Sequence, residues 1–105
     1  MEYTEFLNEE KKKPEAGALF LANKTNNIFG INHLVEKNFI PAVLKRLEIA
    51  AANNDSDKVL ELKDKAISLF PDNLKTEATS HIDLMIEEKT PKSIIKNDRK
   101  VFKPM

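Results

Sequence analysis

The residues that could bind a metal ion are two histidines and the acids near them. His33 and His81 lie far apart in the sequence, and neither belongs to a zinc-binding pattern such as HExxH. Glu77 precedes His81 by four residues, which places the two side chains on one face of a helix. Two ligands fall short of the three or more that a zinc site requires. We therefore interpret the pair as a surface ion pair or as a histidine at the edge of the core, and we predict neither metal nor cofactor.

Residues for acid–base or nucleophilic catalysis are equally scarce. The paired acids Glu9–Glu10, Asp55 with Asp57, and Glu87–Glu88 lie in polar segments, where we expect solvent to surround them. Acid–base catalysis needs carboxyl groups in drier surroundings than these. The chain has no cysteine, its serines have no nucleophile-elbow setting, and its two glycines are isolated, which excludes a phosphate-binding loop. The sequence therefore predicts that the protein is not an enzyme.

The most distinctive segment is the C-terminal one, residues 90–105. From Lys89 onward the chain has six basic residues and one acidic residue, although the whole chain has a net charge of +0. Two apolar pairs lie among these bases, and a fully solvated tail would have no need of them. An apolar anchor flanked by cations suits an acidic groove on a partner protein. The tail residues that we predict to contact this partner are Ile94, Ile95, Arg99, Lys100, Val101, Phe102 and Lys103.

The sequence leaves an alternative for the tail and another for the function. The apolar pairs could fold back onto the protein's own helices, as the ends of short domains often do. The bases, together with Lys11–Lys13, could instead contact the phosphates of a nucleic acid. Acids interleaved along the predicted helices disfavour nucleic acid, because such domains usually cluster their cations on one face. A small adaptor or regulatory protein that binds another protein is the leading hypothesis, and a nucleic-acid-associated regulator is the alternative.

Length and composition indicate one globular domain. The chain has 105 residues, of which 41% are hydrophobic and 32% charged, and its mean hydropathy is −0.45. No apolar run approaches the roughly 20 residues of a membrane span. The first residues show neither the basic start nor the apolar run of a secretory signal, so we expect a cytoplasmic protein with no membrane partner. We predict a helical domain over residues 1–89 and a basic tail over 90–105; the oligomeric state is left open.

Hydrophobic periodicity predicts the central elements of the domain. Apolar residues recur at helical spacing over residues 40–52, 57–70 and 74–88. The first two stretches are predicted to form an antiparallel helical hairpin over residues 40–70, and the third is predicted to pack onto it. Ser56 is the predicted N-terminal cap of the second helix. The inward faces of these helices supply the predicted core, which consists of Val43, Leu44, Leu47, Leu62, Ala66, Leu69, Phe70, Ile82 and Met85.

Part of this hairpin has the features of a known repeat. Residues 54–73 resemble the second helix and turn of a tetratricopeptide repeat, with Ala66 and Pro71 at the positions of its last small residue and its terminal proline. Leu47 and Lys63 depart from the small and the aromatic residue of that pattern. A repeat solenoid needs at least about three units, and the sequence shows no second copy. We therefore interpret the stretch as an ordinary antiparallel helical hairpin.

The N-terminal forty residues allow two interpretations. The apolar residues before the Lys11–Pro14 run indicate a short amphipathic helix. Residues 18–22 and 28–31 are short apolar runs around a polar turn, so a small β-hairpin could form there. Good helix formers follow Pro14, and an isolated hairpin would be marginal, so we favour two short helices. A further helix-start signal, Thr90–Pro91, predicts a short helix through Lys96. The sequence thus predicts an all-α bundle of four to six short helices.

Overall fold

The computed structural model describes residues 2–91 of the chain. Within this range lie six α-helices and no strand: α1 (Tyr3–Glu10), α2 (Glu15–Lys24), α3 (Ile28–Glu36), α4 (Ile40–Ala52), α5 (Ser56–Leu69) and α6 (Lys75–Lys89), with a 3₁₀ turn at Asp72–Leu74. The all-α prediction is confirmed, and residues 18–31 form helices rather than the alternative β-hairpin. The division into a domain over 1–89 and a tail over 90–105 stays a prediction.

The hairpin of α4 and α5 lies at the centre of the larger hydrophobic core. α6 packs against both of its helices, and α1 packs against α4. Most of the predicted core residues are buried, namely Val43, Leu47, Leu62, Ala66, Phe70 and Ile82. The other three, Leu44, Leu69 and Met85, are partly buried and pack against the edge of this core. The apolar stripes of these three helices supply most of the larger core, and Tyr3 of α1 and Leu74 of the 3₁₀ turn complete it.

The turns after α2, α3 and α4 share one geometry, in which an asparagine takes the place of the usual glycine. Asn26, Asn38 and Asn54 have φ angles of 54°, 62° and 58°, a left-handed conformation that asparagine tolerates better than most residues. The next amide in each turn donates back to a carbonyl oxygen five residues earlier: Asn27 to Ala22 at 2.8 Å, Phe39 to Leu34 at 3.1 Å and Asp55 to Ala50 at 3.0 Å. These are Schellman motifs, and they let a chain with two glycines reverse tightly.

In two of these turns, the residue after the asparagine also caps the next helix. The Oδ1 of Asn27 accepts a hydrogen bond from the Gly30 amide at 3.0 Å, and the Oδ1 of Asp55 accepts one from the Lys58 amide at 3.3 Å. The prediction that Ser56 caps α5 is therefore wrong by one residue. Because Asn54 takes the left-handed conformation, Asp55 is the N-cap, and Ser56 is already the first residue of α5.

A lysine from α6 closes the C-terminal end of α5. This residue is Lys75, and its Nζ donates hydrogen bonds to the carbonyl oxygens of Phe70 at 2.6 Å, Ile67 at 3.1 Å and Ser68 at 3.3 Å. The last carbonyls of a helix lack partners within it, and a cation there also complements the negative end of the helix dipole. Lys75 thus joins α5 to α6 independently of the apolar core.

Candidate functional site

The tail residues that the sequence predicts to contact a partner lie outside the described residues, and their role stays a prediction. The described chain ends at Pro91, directly after α6. Thr90 ends α6, and its hydroxyl donates a hydrogen bond to the Ile86 carbonyl oxygen at 2.7 Å. The short helix predicted to run through Lys96 falls beyond this range. The first residue beyond the described range, residue 92, therefore follows closely on the C-terminal end of α6.

Of the two histidines, His81 packs against an aromatic ring and His33 is exposed on α3. The His81 ring stacks on the ring of Tyr3, with 4.2 Å between centroids and 4° between planes. Its Nε2 lies 3.8 Å from Glu77 Oε2, and both side chains are about half exposed. Within residues 2–91, no group of three or more His, Asp or Glu side chains is placed to hold a metal ion. His81 is thus a histidine at the edge of the core with a nearby surface acid.

Tyr3 anchors α1 to the central helices. Its buried ring stacks on Phe70 with 5.4 Å between centroids, and Phe6 contacts the same phenylalanine at 5.3 Å. Burial raises the pKa of the Tyr3 phenol above its usual 10.0, and the negative charge of Glu77 raises it further. These contacts account for the packing of α1 and leave the phenol protonated at neutral pH. The cluster therefore acts as a structural anchor.

One of the paired acids contradicts the interpretation that all of them are solvated. Glu10 is buried, with 7% of its surface exposed, and its Oε2 lies 2.7 Å from Lys13 Nζ. A carboxylate can be buried when a cation neutralises it, and this cation comes from the turn that joins α1 to α2. The neighbouring Glu9 pairs with Lys12 at 3.1 Å on the surface. Two of the three lysines in the Lys11–Lys13 run are therefore engaged by acids of α1.

The feature that sequence reasoning missed is a set of three exposed apolar side chains on the neighbouring helices α2 and α3. Phe20, Leu21 and Phe29 are 64%, 62% and 81% exposed, and we call these three residues the α2–α3 surface. Lys24 Nζ lies 5.9 Å from the centroid of the Phe20 ring, within the range of a cation–π contact. Large exposed apolar groups on one part of a protein mark interaction sites more often than single scattered ones do. This surface is the candidate functional site among the described residues.

The packing of α2 explains why these side chains are uncovered. α2 has α3 as its main neighbour, and Gly30 brings the two helices close, since a Cβ there would lie 3.2 Å from Ala22 Cβ. Phe20 and Leu21 lie on the face of α2 that also carries Gly17 and Lys24, because these positions follow the i, i+3, i+4, i+7 spacing. The sequence signal is weak, because this face carries two large apolar residues between a glycine and a lysine, while Ala16 and Leu19 of the same helix pack against the smaller core.

None of the described helices combines the length and the apolar character needed to cross a membrane. Scans against protein-family models, curated proteins and solved structures give no match to the chain. The function is therefore inferred from the chain's own side chains.

Proposed function

We propose that the protein is a small non-enzymatic adaptor or regulatory protein, which binds another protein through the α2–α3 surface and the C-terminal tail. The exposure of Phe20, Leu21 and Phe29 is the observation that carries this proposal. Full burial of one such side chain is worth about 1.5–3 kcal/mol, so three of them can anchor an interface. Aromatic residues are also enriched at the cores of protein–protein interfaces.

The tail supplies the second contact. Val101 and Phe102 provide an apolar anchor, and Arg99, Lys100 and Lys103 speed the encounter with an acidic partner. Two contacts on one chain reinforce each other, because the first to bind raises the effective concentration of the second. A partner with an apolar cleft beside an acidic patch would engage both, and we expect the protein to meet it in the cytoplasm.

Copurification from the native cell tests the contribution of the α2–α3 surface. We expect the tagged wild type to retain a stoichiometric partner and the Phe20→Ser/Phe29→Ser variant to lose it. Leu84→Ser is the matched control, because Leu84 is 57% exposed on α6, away from this surface. A partner that survives the double substitution, or that the Leu84 control loses equally, would contradict the proposal.

Truncation tests the contribution of the tail. Deleting residues 98–105 should leave the helical circular dichroism and the melting temperature unchanged while abolishing partner binding. Phe102→Ala should reproduce most of that loss. If Phe102 packs onto the protein's own helices instead, its truncation should lower the free energy of unfolding by about 3–5 kcal/mol, as for a core aromatic. A melting curve separates these outcomes before the partner is known.

The alternative function, a nucleic-acid-associated regulator, draws its support from the cationic tail. The ion pairs of Lys12 and Lys13 with acids of α1 weaken it, because they neutralise the second basic cluster. Binding to mixed DNA and RNA distinguishes the two functions, since phosphate contacts are lost steeply between low and moderate salt. We expect no salt-sensitive binding of this kind.

A further inference from the structure

An apolar groove lies at the end of the bundle where α4 ends, α5 begins and α6 ends. Its volume is about 290 Å³. We call it the α5–α6 groove, and its lining consists of Ala51, Asn54, Ser56, Val59, Leu60, Ile86 and Thr90. Among these lining residues, Leu60 is 62% exposed. Pockets for small molecules usually begin at about 300 Å³ and enclose their ligand, so an open groove of this size suits one or two apolar side chains better.

The groove lies where the chain leaves the described domain. Thr90 belongs to its lining, and 14 residues follow Pro91 in the sequence. Ile94 and Ile95, the first apolar residues of that segment, come four and five positions after Thr90. Four positions of extended chain span about 14 Å, more than the 10–12 Å diameter of a helix. The isoleucine pair is thus tethered within reach of the groove.

Charge favours the same segment as the occupant. The acidic residues directly adjacent in sequence to the lining residues outnumber the basic ones, with Asp55, Asp57, Glu61 and Glu87 against Lys58 and Lys89. Lys58 lies 3.7 Å from Glu61, which offsets part of its charge. α4 and α6 end here and α5 begins here, so the negative ends of two helix dipoles outweigh the positive end of one. Residues 92–105 contain five bases and one acid and therefore complement it.

We propose that Ile94 and Ile95 occupy the α5–α6 groove of their own chain in the free protein. The contact holds the start of the tail against the body and leaves Val101 and Phe102, farther along, for a partner. A tether this short gives the isoleucines an effective concentration in the millimolar range, so a modest contact is enough to keep them bound. The contact is a property of the isolated chain and does not depend on the proposed function.

Methyl NMR spectra of the full chain test the proposal without a partner. In the Ile94→Ser/Ile95→Ser variant, we expect the methyl resonances of Val59, Leu60 and Ile86 to shift from their wild-type positions. The methyls of Leu84 should stay in place, because Leu84 is exposed on α6 outside the groove. Val101→Ser/Phe102→Ser is the matched control, since it removes the tail's other apolar pair and should leave the groove resonances unchanged. Circular dichroism verifies that both variants keep their helices.

Three outcomes would overturn the proposal. Groove resonances that do not move in the isoleucine variant would show that the pair does not bind there. Groove resonances that move only in the Val101/Phe102 variant would assign the groove to the other apolar pair. If tenfold dilution moves the groove resonances of the wild type to their positions in the isoleucine variant, a second copy supplies the isoleucines. An intramolecular contact is independent of concentration.

Discussion

The helices α4 to α6 and the pair α2–α3 use their apolar residues in different ways. Among α4 to α6, the apolar stripes meet in one core, where Leu47 and Ile82 are at most 1% exposed. α2 and α3 pack around a smaller cluster of Leu34, Phe39 and Ala42, and they leave Phe20 and Phe29 in solvent. The difference teaches that apolar content alone does not decide burial. α4 packs against α1, α3, α5 and α6 and leaves none of its large apolar side chains mostly exposed, whereas α2 packs mainly against α3 and leaves Phe20 and Leu21 uncovered.

The largest expected effect tests the buried side of this comparison. Leu47 is completely inaccessible at the centre of the larger core, so Leu47→Ala should lower the free energy of unfolding by about 2–5 kcal/mol. Chemical denaturation measures this loss. The slope of the unfolding free energy against denaturant concentration shows whether the unfolded state is the same in both proteins. Leu84→Ala, at a leucine that is 57% exposed, is the control and should change little. An unchanged midpoint for the Leu47 variant would contradict the core assignment.

A second, smaller effect concerns the polar link between α5 and α6. Lys75→Met keeps most of the side-chain volume but removes the hydrogen bonds to three carbonyl oxygens at the end of α5. We expect a loss of about 2 kcal/mol, with faster amide hydrogen exchange in the last turn of α5. Lys45→Met removes only a surface pair with Glu48 at 3.7 Å and should cost less than about 1 kcal/mol. Equal costs for the two variants would argue against the cap.

The shared turns allow a direct comparison of the two regions. Asn54→Ala and Asn26→Ala should each cost about 1–2 kcal/mol, because both place a Cβ in the left-handed conformation without the local help that asparagine gives. Asn54→Gly should restore most of the stability. Thermal unfolding measures all three. Equal losses of stability in the two alanine variants would sharpen the comparison. They would show that the strain in the turn does not depend on how much apolar surface each region buries.

An alkaline titration tests how α1 is attached to the central helices. The folded-state pKa of Tyr3 is above its unfolded value of 10.0, so the folded protein holds this proton more tightly. That contribution to stability is fully present below pH 10.0 and is lost as the pH rises through the folded pKa. The melting temperature should fall more between about pH 9 and pH 11 for wild type than for Tyr3→Phe. Parallel decreases in the two proteins would contradict the burial of the phenol.

Residues 40–89 could be predicted from the sequence because each helix there has a single apolar stripe. The cap of α5 could not, since Asp55 and Ser56 are both good capping residues and the φ of Asn54 decides between them. The burial of Glu10 depends on how the turn before α2 folds over α1. The α2–α3 surface was missed because a run of apolar residues does not reveal how many neighbours its helix will have.

The unfolding free energy of Phe20→Ser/Phe29→Ser, measured beside wild type, tests the central claim most directly. The claim is that these apolar residues lie outside the core and are available to a partner. Because both side chains are mostly exposed, at 64% and 81%, the double variant should stay within about 1 kcal/mol of wild type, including the lower helix propensity of serine. A loss of about 3 kcal/mol or more, typical of a truncated core aromatic, would place these residues in the core and contradict the account.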